Sequence, residues 1–326
     1  MKLKTLISLL LIFSLIFGLC CCAGAPGADE TTADAEPVSA SETAADDTET
    51  EDPADGAFVF TAENYTRMGG SLANKPLGQA VTAAVLGITR EDADAMISFT
   101  GSTTDNYKQL ADGDFDILLA YEPSEEAKAY IEEKNVPLEM TPIGVDALVF
   151  ICSTENPLDS LTLDQIKDVY TGRTTDWADL GSDAGEIIAY QRNPDSGSQT
   201  LFDKLVNLGD ELMDPPEGLR IVTMIGLLEA VADYDNSENA LGYTVYYYLT
   251  NMEKEKLDTA KILAVDGAAP SNETIGSGAY PLTNDFYVVI RASAPQNSPE
   301  RILYNWICSA QGRALVLQEN YPVRTE

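Results

Sequence analysis

Beyond residue 57 the chain alternates short apolar runs with segments whose apolar residues recur at helical spacing. Runs at 58–60, 97–99, 117–120, 147–151, 187–190 and 287–290 have the length of buried strands. Leu77, Ala80, Val81, Ala84 and Val85 form one helical stripe, and Leu201, Phe202, Leu205, Val206 and Leu208 form another. Such alternation predicts an α/β fold with largely parallel sheets, because parallel neighbours need a crossover and a helix is the usual one. No repeat of fixed period is present, and 326 residues suggest roughly two domains.

The amino-terminal end breaks this pattern. Lys2 and Lys4 precede a 15-residue apolar run at 5–19, short for a bilayer span of about 20 residues and suited to a signal-peptide core. Residues 23–56 hold eleven acidic residues, no basic ones and almost no large apolar side chain. Such a segment cannot bury enough surface to fold and is expected to be a disordered, self-repelling tether.

Three predicted helices open on glycine and hydroxyl residues: Gly69-Gly70-Ser71-Leu72, Gly101-Ser102-Thr103-Thr104, and Ser196-Gly197-Ser198 with Arg192 just ahead. At a helix start the first backbone N–H groups lack partners and the dipole is positive, which favours an oxyanion. Gly197 lets the backbone come close, Ser196 and Ser198 add rotatable donors, and Arg192 can supply a two-pronged charged hydrogen bond. Capping serines are common by themselves. Three such starts, each after a strand, can converge on one ligand in a cleft at the carboxyl ends of the strands.

Several motifs follow in one order: Gly70-Ser71, Asp116-Ile117 into Glu122-Pro123-Ser124, Asn156-Pro157-Leu158, Tyr170-Thr171-Gly172-Arg173, Asp176-Trp177, the Arg192 turn, Leu241-Gly242-Tyr243 and Tyr280-Pro281-Leu282. Together they resemble the phosphate-binding substrate-binding proteins of ABC transporters, the PstS type, especially lipoprotein members from Gram-positive bacteria. The resemblance implies a two-lobed periplasmic-binding-protein-like clamp (type II), with α/β lobes and two hinge crossovers. Lobe one would take 57–143 and 282–326, and lobe two 144–281. It also implies that Ser71 and the Leu72 backbone form a first anion loop, that Thr103 belongs to a second, and that Arg192, Ser196, Gly197 and Ser198 form a third.

Two positions depart from that family. It places an aspartate after the strand that follows the second loop, where this chain reads Ala120-Tyr121-Glu122. Phosphate near neutral pH keeps an O–H that a carboxylate can accept, whereas sulfate has none, so Glu122 is the candidate acceptor one residue late. Asp195 stands where the family often has a small residue; it either adds repulsion beside the anion or caps the helix.

The resemblance extends to the leader. Cys20, Cys21 and Cys22 follow the apolar run, and Leu19 lies three residues before Cys22, which makes Cys22 the expected lipidated (palmitate-bearing) residue of a signal peptide at 1–22. The implied protein is a monomer, anchored by lipid on the extracellular face of the cell membrane, that captures phosphate or a similar oxyanion for an ABC permease. The alternative is a surface sensor or adhesion module whose anion site has decayed.

Composition removes other classes. With 20 basic against 53 acidic residues, a net charge of −33, the chain lacks the lysine and arginine clusters that nucleic acid requires. It contains no histidine, which removes Ser-His-Asp and Cys-His catalysis and the commonest metal ligand. No catalytic residue, metal or cofactor is therefore expected. Cys152 and Cys308 can pair in an exported chain, but two buried free thiols are the favoured reading.

Overall fold

The computed structural model describes residues 58–215, 220–232 and 237–325. Cys22 with its leader and the tether lie outside these described residues. Residues 58–326 form one compact unit.

Each apolar run except 58–60 contributes to a strand. The first part is β1 (Met68–Ser71), α1 (Lys75–Leu86), α2 (Arg90–Asp94), β2 (Ile97–Thr100), α3 (Thr103–Asp112), β3 (Ile117–Ala120) and α4 (Glu125–Glu133). A long strand, β4 (Leu138–Ser153), then leads to β5 (Ser160–Leu161), α5 (Leu163–Tyr170), β6 (Ile188–Ala189), β7 (Gln191–Arg192) and α6 (Gly197–Phe202). After β8 (Arg220–Ile221) come α7 (Met224–Ala232), β9 (Ala240–Val245), β10 (Ala260–Ile262), β11 (Ala264–Val265) and α8 (Asn272–Gly276). The chain closes with β12 (Thr283–Arg291), α9 (Pro299–Ile307) and α10 (Ala310–Gln318). Residues 58–60 make no ladder; Phe60 instead packs its ring on Tyr65 at 5.9 Å.

The main sheet runs β2-β1-β3-β12-β4-β9-β6, with β10 also on β4. Its two halves share β4, whose residues up to Ala147 pair with β12 and whose residues from Leu148 pair with β9. The sheet is mixed rather than largely parallel. β1 is parallel to β2 and β3, and β6 to β9, but every ladder of β4 and β12 is antiparallel. β4 and β12 carry the chain through the middle of the sheet in opposite directions, and each also runs antiparallel to its outer neighbour, β9 and β3 respectively.

Under the second half, Phe150, Tyr170, Phe202 and Tyr243 form an aromatic cluster with centroids 4.8 to 6.1 Å apart. All four are buried. At about 1.5–3 kcal/mol for each large side chain taken out of water, this cluster fixes α5, α6 and β9 on β4. Both remaining cysteines are free, as favoured from sequence, but only Cys152 is buried; Cys308 is exposed, because it follows the last turn of α9 on the solvent side.

Asp146 lies on β4 where its pairing changes partners, and it is fully buried. It accepts hydrogen bonds from Tyr121 OH at 2.7 Å, Ala147 N at 2.8 Å and Tyr247 N at 3.1 Å. Burial outweighs these donors and raises its pKa from 3.8 to about 6. A raised native pKa means that the folded state holds this proton more tightly, so the stability it lends is complete below about pH 4 and lost as pH rises through about 6. Asp146→Asn has no proton to lose. Relative to the wild type it should gain about 3 kcal/mol between pH 4 and pH 7 in urea unfolding. A difference independent of pH would show that the carboxyl is charged throughout.

Candidate anion-binding site

Three strand-to-helix turns meet at the ends of β1, β2 and β7. Ser71 ends β1 and precedes a short 3-10 turn that begins at Leu72. Thr103 opens α3, whose cap Ser102 accepts the N–H of Asp105 at 3.1 Å. Gly197 opens α6, capped by Ser196 through the N–H of Gln199 at 3.1 Å. Ser196 is therefore the cap, while Asp195 lies exposed at the surface.

The turns touch. Ser71 Oγ and Thr103 Oγ1 are hydrogen-bonded at 3.0 Å. Ser102 and Ser196 pair through their backbones as an isolated antiparallel bridge. A side chain on Gly197 would place its Cβ 2.7 Å from Thr103 Oγ1 and 3.5 Å from the Tyr121 ring. Ser71, Thr103, Ser196 and Ser198 are all buried, Ser71 being the most exposed at 4 %.

Arg192 supplies the charge. It is 2 % exposed, and burial holds its pKa below the ordinary arginine value. Its Nε donates to Ile221 O at 3.1 Å, Nη2 to Val222 O at 3.0 Å and Nη1 to Ser198 Oγ at 3.2 Å. No ion pair joins it to a carboxylate among the described residues. A buried cation met only by neutral oxygens is costly unless an anion completes the site. Because Ser198 Oγ accepts from Arg192, its own O–H remains to be donated elsewhere.

Of the residues singled out in the sequence, Ser71, Leu72, Thr103, Arg192, Ser196, Gly197 and Ser198 are thus gathered on the three turns. Glu122 is not gathered with them. Its carboxylate accepts Lys204 Nζ at 2.7 Å and Tyr287 OH at 3.0 Å. Burial pushes its carboxyl up, but Lys204 and Tyr287 outweigh this and hold it below the ordinary value. Lys204 also donates to Asn284 Oδ1 at 2.8 Å, so these side chains form a strap between the end of β3, the segment after α6, and β12. Tyr121 takes the place after β3; its ring lies against Gly197 and its hydroxyl is committed to Asp146. Sequence reasoning gave no role to Tyr121 or Lys204, and marked Tyr243 only as part of the Leu241-Gly242-Tyr243 motif. Their partners lie 25, 82 and 51 residues away, beyond any local spacing signal.

Fold and site together define a clamp-type binding protein with a buried, donor-rich centre. A family model described as a PBP superfamily domain matches residues 38–307, and the chain belongs to that superfamily. It is 26 % identical over 223 residues to the phosphate-binding protein PstS of Bacillus subtilis, covering 68 % of each chain. The PstS of Staphylococcus aureus strain USA300 is 25 % identical over 213 residues, which is 63 % of this chain and 62 % of the relative, slightly under two thirds of its length.

Solved structures agree on the fold. A putative phosphate ABC transporter substrate-binding protein with bound phosphate from Clostridium perfringens superposes with a TM-score of 0.62 at 23 % identity, over 81 % of this chain and all of that one. An ABC-type phosphate transport receptor from Vibrio cholerae gives 0.59 at 17 % identity, over 80 % and 100 %. The fold is the two-lobed periplasmic-binding-protein type.

Proposed function

We propose that this chain is a substrate-binding protein that captures phosphate and delivers it to an ABC permease. The observation that carries the reading is the buried Arg192 guanidinium, which has no carboxylate partner among the described residues and stands among buried hydroxyls from turns on both halves of the fold. An inorganic oxyanion would supply the missing negative charge, and donors this deeply enclosed suit a free ion better than a large ester. The names of the PstS relatives favour phosphate among the oxyanions.

In this reading Ser71, the Leu72 backbone and Thr103 bind from one lobe, and Arg192, Ser196, Gly197 and Ser198 from the other. Contacts from both sides would draw the lobes together. Glu122 contributes by holding Lys204 across the cleft, with Tyr287 as its second partner, and its carboxylate is thereby withdrawn from the anion's proton. Among the described residues no helix is long and apolar enough to cross a membrane. Anchoring would come from a lipid on Cys22, with the segment at 23–56 as spacer, on the extracellular face of the membrane.

Calorimetric titration of ligand-stripped protein near pH 7 tests the proposal. Phosphate should bind, and at a thousandfold excess over its Kd should raise unfolding stability by about 4 kcal/mol. Binding of neither phosphate nor sulfate would leave the anion-free surface module as the better account.

A further inference from the structure

We propose that Tyr243 is the positioning residue of the anion turn, clasping it at both ends and so fixing where the Arg192 guanidinium stands. The inference rests on the oxyanion reading above. Tyr243 lies on β9 and is 1 % exposed. Its phenol oxygen accepts the Arg192 backbone N–H at 2.9 Å and donates to Gln199 Oε1. Arg192 starts the turn and Gln199 ends it. Ser196, Gly197 and Ser198 fall between them.

The strand that carries Arg192 is a weak anchor by itself. β7 has two residues and pairs with an equally short β8. The phenol is a firmer support, because its ring stacks on Phe202 with centroids 4.8 Å apart and an interplanar angle of 29°. Gln199 is held in turn, its Nε2 donating to Asp203 Oδ1 at 2.9 Å. One hydroxyl therefore ties the charged end of the turn to the helix whose first residues line the site. Displacing such donors by about 1 Å is enough to weaken a preorganised site.

The test is phosphate calorimetry on the full chain. Tyr243→Phe should raise Kd at least tenfold. The same change made in an Arg192→Lys background should raise it less than threefold, because a flexible lysine stem has no fixed position to lose. An equal loss in both backgrounds would mark a general packing defect and overturn the proposal, as would a change below twofold in the single variant. If Tyr243→Phe fails to fold, Gln199→Met cuts the other limb of the clasp and should weaken phosphate binding; affinity equal to wild type would again overturn it. A wild-type chain that binds no oxyanion would overturn the underlying reading of the site itself.

Discussion

Replacing Arg192 with methionine should lower phosphate affinity by two to three orders of magnitude while leaving the ligand-free fold nearly as stable. Truncating one partner of a desolvated charge pair costs about 2–5 kcal/mol, which sets the size of the loss. The small effect on the empty protein follows from the local contacts. The guanidinium is buried against Ile221 O, Val222 O and Ser198 Oγ, with no carboxylate among the described residues to offset its desolvation. Methionine recovers that penalty and fills similar space but leaves two carbonyls without a donor, so the net change should lie within about 1 kcal/mol. Calorimetry and urea unfolding of the same variant check both halves. Retained phosphate affinity would remove Arg192 from the site, and an unfolded variant would make it a strut for residues 221–222 instead.

Gly197→Val should be nearly as damaging to binding, by a different route. The conformation of Gly197 is not the constraint; space is. Its Cβ would come within 2.7 Å of Thr103 Oγ1, closer than real Cβ contacts allow, and Thr103 belongs to the opposite turn. The backbone bridge between Ser102 and Ser196 lies beside this contact and would have to open. The lobes would then be held apart, and donors on the two sides could no longer reach one small ion together. An affinity loss of at least about 100-fold, or about 2.7 kcal/mol, is expected. Small-angle scattering with phosphate present should also show a larger radius of gyration than the wild type. Wild-type affinity together with an unchanged radius would mean that Gly197 is not a closing contact.

These two residues show why the site was partly legible in the sequence. Arg192, Ser196, Gly197 and Ser198 lie within one strand-to-helix turn, where glycine, hydroxyls and a nearby arginine have a local meaning. Ser71 and Thr103 were found by the same local pattern. Glu122 was harder, because its position after Tyr121 suggested an acceptor while its partners, Lys204 and Tyr287, lie 82 and 165 residues along the chain. Tyr243 belongs to the buried core, yet its hydroxyl also holds the backbone of Arg192.

The sequence by itself determined the alternation of strands and helices, the three hydroxyl-rich helix starts and the exclusion of histidine chemistry, because each is a property of neighbouring residues or of composition. The tertiary structure decided what crosses the chain: a mixed sheet strung on β4, the pairing of Glu122 with Lys204, the burial of Asp146 under Tyr121, and the setting of Arg192 among neutral oxygens with no carboxylate beside it among the described residues. Those outcomes depend on which distant segments come to share a dry space, where an unpaired charge is expensive and every donor must find an acceptor.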